Sequence, residues 1–381
     1  MTGAAEARDV FVVGAGLHPY QPPSATPYVT LGLTAIRAAL ADADIDWEAV
    51  ESAYVGTALI GAATGRPMLR HLGATGLSVV QVENASATGS SAFRQAYVEV
   101  AGGLADVVLA VGVDKPAMRP DGFQAAGAVD LAGGLVSPAA QFALLGDRYL
   151  GESGVSPAAL AAVAVKNHRN GLLNPNAQRR EKLTERDVLE SSPIAGPLTK
   201  YQCCPVGEGA AAVIVASGEA IERLGIDPAR AVRIAASVSR SEELYPDGVN
   251  ADEELTRVTT AEALQRAGIT AADLDVVELH DAFSVEELIY LEAMGLSARH
   301  EAGRDILAGD YDIGGRCAVS PSGGLESMGH PVGPTGIGQI AEITTQLRGE
   351  AGERQQPAAR VGLAHMLGFG GVCIEHVLVK D

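Results

Sequence analysis

The chain has few cysteines, few aromatic residues and no concentration of positive charge. Its four cysteines, Cys203, Cys204, Cys317 and Cys373, are spread over 381 residues. That is too thin for a disulfide scaffold, and none stands in the Cys-x-x-Cys spacing of a metal site. Aromatic residues make up only 4% of the chain, so the core must be built mainly from small aliphatic side chains. Lys and Arg number 28 against 47 Asp and Glu, a net charge of -19, with no Lys/Arg-rich run. Such a balance argues against a nucleic-acid partner, whose phosphates need clustered cations. No apolar stretch reaches the roughly 18 residues of a membrane span. The first eight residues are polar and lack the apolar core of a secretory leader. A reducing, cytoplasmic location is expected.

What is present suits a two-lobed α/β enzyme. Hydrophobic residues make up 47% of the chain, and 45 glycines predict many tight turns and close backbone contacts. Asp9 to Gly16 has a buried-strand pattern. Its Gly-Ala-Gly ending looks like a dinucleotide fingerprint, but Leu17-His18-Pro19-Tyr20 cannot open the helix that such a site requires. Strand and helix patterns alternate from there. Helices are expected over Tyr28 to Ala41, Ala62 to Leu72 and Ala92 to Gly103, and strands over Leu77 to Val82 and Asp106 to Gly112. This rhythm predicts a largely parallel sheet covered by helices.

Residues from about 115 to 200 break the rhythm with Gly, Pro and charge, and contain two helical runs, Pro138 to Tyr149 and Pro157 to Arg169. They read as an inserted loop subdomain on top of the first lobe, shaping a substrate channel. The second lobe, 231–381, echoes the first (1–230) in a weak repeat of strand, helix, strand and reactive turn.

Three turns carry candidate chemistry. Asn84-Ala85-Ser86-Ala87-Thr88-Gly89 lies between a strand and a helix, where the Ser86 hydroxyl meets free backbone N–H groups. Ser86 is thus a candidate nucleophile or hydrogen-bond donor. His280 follows the strand Val276 to Leu279, at a carboxyl end where α/β sheets place ligands. Helix capping by His280-Asp281 is the alternative. His330 is surrounded by glycines and followed by Pro331, a setting a buried core histidine does not need; its imidazole could donate to a thioester oxygen. His365, before the glycine turn that ends at Gly371, either orients other groups or lines the pocket. His168 and Arg169 are candidates for a phosphate-bearing cofactor, or a solvated helix end. Cys203-Cys204-Pro205 reads as packing.

In their order along the chain these segments resemble the thiolase superfamily, within it the group related to sterol carrier protein X and lipid-transfer proteins. The most specific match is Gly329-His330-Pro331-Val332-Gly333-Pro334-Thr335-Gly336. The resemblance implies thiolase-like duplicated lobes in a five-layer αβαβα stack, a homodimer, and coenzyme A thioesters as substrates. Coenzyme A would then belong to the substrate, with no tightly bound cofactor and no metal. It also implies that some members pair with a small OB-fold and zinc-ribbon subunit. It makes Asn84, Asp281 and Gly371 secondary members of the site, and Ser322 and Gly323 candidate contacts for coenzyme A.

Both sulfurs of thiolase chemistry are absent: Ser86 replaces the nucleophilic Cys, and Ala282 replaces the acid/base Cys of a His-Asp-Cys-Phe motif. The final glycine turn has none either. Ser is a poor replacement for thiolate without a strong base. The double loss points to retro-aldol cleavage of a 3-hydroxyacyl-CoA, of a steroid or other bulky side chain, without an acyl-enzyme. Aldolase relatives that cleave steroid side chains have tyrosines where these two histidines stand, so their machinery is not copied here. On this reading His330 stabilises the enolate, and His280 is the base or its partner. The alternatives are acyl transfer with Ser86 as nucleophile (a natural serine or an engineered replacement of Cys) and a non-catalytic partner subunit.

Overall fold

The computed structural model describes residues 8–116, 137–246, 248–369 and 371–380. Positions 117–136 of the expected loop subdomain, and Gly370 of the last glycine turn, lie outside the described residues. The first half runs β1 (Val10–Gln21), α1 (Tyr28–Ala43), β2 (Ser52–Gly56), α2 (Gly65–Leu69), β3 (Ser78–Val82), α3 (Thr88–Ala101) and β4 (Val107–Asp114). Then come α4 (Pro138–Ser153), α5 (Ala158–Leu173), α6 (Glu185–Leu189), a small hairpin of β5 (Pro193–Ala195) and β6 (Leu198–Thr199), β7 (Glu208–Ser217) and α7 (Gly218–Leu224). The second half runs β8 (Val232–Ser241), α8 (Ala251–Ala267), β9 (Val276–Glu278), α9 (Ser284–Ala293), α10 (Ala302–Ala308) and β10 (Ala318–Val319). It ends with α11 (Gly324–Ser327), α12 (Thr335–Leu347), β11 (Val361–Gly368) and β12 (Val372–Val379).

The two halves repeat one topology. The first orders its strands β3-β2-β4-β7-β1 and the second β10-β9-β11-β12-β8, joined by a short antiparallel contact of β1 with β8. Within each half the first two pairings are parallel and the last two antiparallel. The sheet is therefore mixed, not largely parallel as expected. β7 and β12 each return beside the preceding strand, and apolar periodicity does not record strand direction.

Side-chain alternation along the strands feeds two faces. On one face of the first half, Val107, Leu109 and Ile214 pack with Leu31, Ile36 and Leu40 of α1. The opposite face, with Val108, Val213 and Val215, meets Phe93 and Val100 of α3 and Ile337, Ile340 and Ile343 of α12, and the same cluster includes Ile234 and Leu378 of the second half. The outer face of the second half, through Val277 and Leu363, packs on Leu255 of α8 and on Val285 and Leu288 of α9. The result is five layers, helix–sheet–helix–sheet–helix. Each fully buried Leu or Ile contributes about 1.5–3 kcal/mol by burial.

β1 continues past Gly16, where it was expected to stop. A Cβ at Gly14 or Gly16 would overlap the α1 backbone at Ala39 or Ala35. These glycines permit close strand–helix packing rather than nucleotide binding. The helix expected over 62–72 shrinks to five residues between the left-handed Gly61 and Gly73.

The two long helices of the inserted segment, α4 and α5, pack on the second lobe. Ala143, Tyr149, Leu160 and Val163 of α4 and α5 share the core of α8 and α9. Lys166 pairs with buried Glu287 at 3.2 Å and donates to the carbonyl of Val319 at 2.7 Å. A buried charge pair needs further hydrogen bonds to offset its lost hydration, and Asn167, bonded to Asp281 at 3.0 Å, belongs to that network.

Candidate active site

Close contact between the two lobes brings Ser86 and His330 together. A Cβ at Gly89 would lie 2.6 Å from the carbonyl oxygen of Gly333. Buried Asp114, at the end of β4, accepts from the N–H groups of Leu59 (2.8 Å) and Gly333 (2.7 Å) and from the Thr57 hydroxyl (2.8 Å). The loop carrying His330 is thus fixed to the turn carrying Ser86.

Ser86 itself lies in a 3-10 turn, Ala85–Ala87, and α3 starts at Thr88, earlier than expected. Ala85 has φ +48°, a left-handed conformation that costs a non-glycine residue energy. Thr88 holds it there, donating to the carbonyl of Ala85 at 2.6 Å and accepting from the N–H of Asn84 at 2.8 Å. The Asn84 side chain is turned to Ser91, 2.9 Å away.

The hydrogen-bond chain fixes the tautomer of His330. The Thr335 hydroxyl donates to the carbonyl of Pro331 at 2.6 Å, so toward His330 Nδ1, 2.9 Å away, it must accept. Nδ1 therefore carries the proton, and Nε2 accepts from the Ser86 hydroxyl at 3.1 Å. Burial, then the nearby His280, lowers the His330 pKa to about 3. A neutral imidazole with a bare Nε2 cannot donate to a thioester oxygen, which runs against the enolate-stabilising role expected from sequence.

His280 has the opposite environment. Its ring lies 5.3 Å from that of His330, edge to face. Nδ1 pairs with Glu286 Oε1 at 2.9 Å, and Glu286 also accepts from the Tyr290 hydroxyl (3.1 Å) and the N–H of Phe283 (2.9 Å). Burial disfavours the imidazolium, but Glu286, Asp281 and Asp252 together outweigh it and raise the pKa. Nε2 of His280 is buried without a hydrogen-bond partner among the described residues. His280 is thus the ring suited to donate, and His330 the ring suited to accept.

A pocket of about 840 Å³ contains Ser86, His280 and His330 together with Gly371. Phe142 stacks on Phe283 in its wall, ring centroids 4.7 Å apart, beside Leu144, Leu145 and Leu367. Asp252, Glu242, Glu286, Tyr290 and Cys204 also line it; of these the sequence singled out Cys204 alone, as a packing residue. Cys204 packs against the second-lobe core as expected, and it also donates its N–H to the carbonyl of Ala282 at 2.8 Å, which brings it to the site. Glu286 lies six residues after His280, within the first turn of α9.

The remaining candidates lie outside the pocket lining. Asp281 accepts from Asn167, from Ser320 (2.8 Å) and from the N–H of Leu325 (2.7 Å), all buried. His365 accepts the N–H of His280 at 3.4 Å and contacts Thr256 at 3.1 Å, so it supports the His280 backbone. Its neighbours Cys373 and Glu375 bring potential ligand atoms within 4.8 Å, but both His365 nitrogens are engaged. His168 is buried, bonds the carbonyl of Ala164 at 2.8 Å and is held neutral by burial, its pKa lowered to about 4. Arg169 pairs with Asp312 at 2.5 Å. Ser322 is bound to Glu278 through its N–H (2.9 Å) and hydroxyl (2.7 Å), and Gly323 packs on Gly171. These four do not meet the Ser86 pocket.

Residues 10–219 match the family model described as thiolase, N-terminal domain, and residues 249–379 match the thiolase C-terminal domain-like model. The chain belongs to the thiolase family. Sterol carrier protein 2 of Gallus gallus is 38% identical over 96% of this chain and 71% of its own length. The benzoylsuccinyl-CoA thiolase subunit BbsB of Thauera aromatica is 36% identical over 89% of this chain and 90% of its own. Among solved structures, the Ltp2-ChsH2(DUF35) aldolase superposes with a TM-score of 0.84 at 24% identity, covering 99% of both chains. Human mitochondrial 3-ketoacyl-CoA thiolase superposes at 0.77 and 19%, over 99% of this chain and 100% of that one. This thiolase-family protein is accordingly an enzyme of acyl-CoA thioester chemistry, as its sequence led one to expect.

Proposed function

We propose that this protein cleaves the Cα–Cβ bond of a 3-hydroxyacyl-CoA by a retro-aldol step, without an acyl-enzyme. One observation carries the reading: the only partner of the Ser86 hydroxyl among the described residues is the His330 imidazole, whose Nδ1 meets the Thr335 hydroxyl and no carboxylate, and burial lowers its pKa. Turning Ser86 into a nucleophile needs a base that takes its proton readily. His330 is a weak one.

The cleavage needs no such step. A base removes the 3-hydroxyl proton, the C–O bond becomes C=O, and the Cα–Cβ pair moves onto the thioester as an enolate. His280 Nε2–H donates to the enolate oxygen, charge stabilisation that is typically worth 10²–10³ in rate. Protonation at Cα then gives a shortened acyl-CoA beside an aldehyde or ketone. Ser86, its one hydroxyl proton directed to His330, serves as a spacer held in orientation by that ring. The apolar wall of Phe142, Phe283 and the leucines suits a bulky, ring-containing acyl group, steroid or aryl.

A small second subunit completing the channel, a homodimer and a cytoplasmic setting belong to the same proposal. The likeness to the Ltp2-ChsH2(DUF35) aldolase supports the first of these.

The 3.1 Å contact between Ser86 and His330 also favours a second reading, acyl transfer with Ser86 as nucleophile and His330 as its base. Incubation with ring-bearing 3-hydroxyacyl-CoA and 3-ketoacyl-CoA thioesters separates the two. The aldol reading expects carbonyl product from the hydroxy substrate and an unmodified Ser86 peptide by mass spectrometry. An ester on Ser86, with turnover of the keto substrate only, would overturn it.

A further inference from the structure

The retro-aldol reading needs a base for the 3-hydroxyl, and the groups considered so far do not provide one. His330 accepts protons poorly, Ser86 donates to it, and Glu286 is committed to His280, Tyr290 and the N–H of Phe283.

α8 begins at the pocket. Asn250 caps it, its side-chain oxygen accepting the N–H of Asp252 at 3.2 Å. The Asp252 carboxylate lines the pocket with Ser86, His280 and His330 and accepts no hydrogen bond among the described residues. It is therefore free to accept a proton from a substrate bound in the pocket. The second unpartnered group in the same pocket is His280 Nε2. One is an acceptor and the other, when protonated, a donor. The two groups attract each other electrostatically. A 3-hydroxy thioester presents the complementary pair, a hydroxyl to give and a carbonyl oxygen to receive, on two carbons with one carbon between them.

We propose that Asp252 is the general base of this enzyme, accepting the 3-hydroxyl proton while His280 holds the thioester oxygen. The inference rests on the retro-aldol reading. The O–H bond breaks, its electrons form the carbonyl, the Cα–Cβ pair becomes the enolate, and Asp252 ends protonated. The proton it has taken balances the one the enolate carbon then accepts, so no co-reactant is needed. Burial raises the Asp252 pKa, with Glu242 adding to the effect and His280 opposing it. Besides Glu242, which follows β8, the charged or titratable groups that sense Asp252 are His280 at the end of β9, Glu286 and Tyr290 on α9, and Cys373 on β12. A base with raised proton affinity is better matched to neutral pH than an exposed aspartate.

The test compares wild type, Asp252→Asn and Asp252→Glu on one cleavable 3-hydroxyacyl-CoA, following kcat, KM and the pH profile of kcat. Asp252→Asn is expected to lower kcat by about 10²-fold or more, with KM within about threefold. It should also remove the acid limb of the profile, which in wild type lies above the ordinary aspartate range. Asp252→Glu should recover part of the rate and keep an acid limb, which a merely structural role would not require. This variant also decides the matter if the Asn form does not fold. An Asn variant within about threefold of wild-type kcat, or an unchanged acid limb, overturns the proposal alone. Failure of wild type to cleave any 3-hydroxyacyl-CoA removes the retro-aldol reading, and this proposal with it.

Discussion

His280 and His330 stand edge to face in one pocket, yet their surroundings have little in common. His330 comes from a glycine-rich loop pressed against the first lobe, with only hydroxyl partners, Thr335 and Ser86. His280 ends a strand of the second lobe and faces the carboxylates of Glu286, Asp281 and Asp252. Burial disfavours the charged form of both. Only His280 has anions near enough to reverse that, so one ring is depressed and the other raised. Pairs of titratable groups pushed apart in this way mark the division between acid and base in a site. The ring beside Ala282 keeps the charge-bearing chemistry, while the ring that meets the nucleophile-like turn is held neutral.

The largest expected effect breaks this asymmetry outright. His280→Ala should lower kcat on a 3-hydroxyacyl-CoA by about 10²–10³-fold, the typical value of an oxyanion donor. His330→Ala, which removes only the orientation of Ser86, should cost about tenfold. Equal losses in the two variants, measured by steady-state kinetics, would remove the distinction between the rings.

A smaller change sharpens the origin of the difference. Glu286→Gln keeps the cap on the N–H of Phe283 but removes the main charge that raises the His280 pKa. His280 donates in its protonated form, so activity is retained below its pKa and lost as pH rises through it. With Gln at 286 that alkaline limb should move to lower pH, as expected for loss of one close opposite charge. The rate should change little at acid pH and most at alkaline pH. A limb that does not move in the pH profile would assign the titration to another group.

Much of this arrangement is visible in sequence, and the reasons for the rest are physical. Ser86, His280 and His330 stand out because strand ends and glycine turns are local features. Gly14 and Gly16 resemble a phosphate-binding pair, and the absence of a following helix already argued against that; their packing on α1 is visible only in the fold. Asp252 is hidden within Asp252-Glu253-Glu254, an ordinary acidic first turn of a helix; only the fold turns one of the three carboxylates into the pocket. Cys204 reaches the site by pairing beside Ala282, 78 positions away in sequence, a contact that no spacing rule predicts. The docking of α4 and α5 on the second lobe depends on Lys166 meeting Glu287 across the chain, and helix periodicity says nothing about which lobe will receive an apolar face.

The smallest expected effect is the most decisive. In Ser86→Ala the hydroxyl that meets His330 is gone, while His280, Glu286 and Asp252 keep their places. Turnover of a 3-hydroxyacyl-CoA by this variant measures directly whether Ser86 attacks or only assists. The retro-aldol account predicts a rate within about tenfold of wild type, and a loss near 10³-fold or more would contradict it.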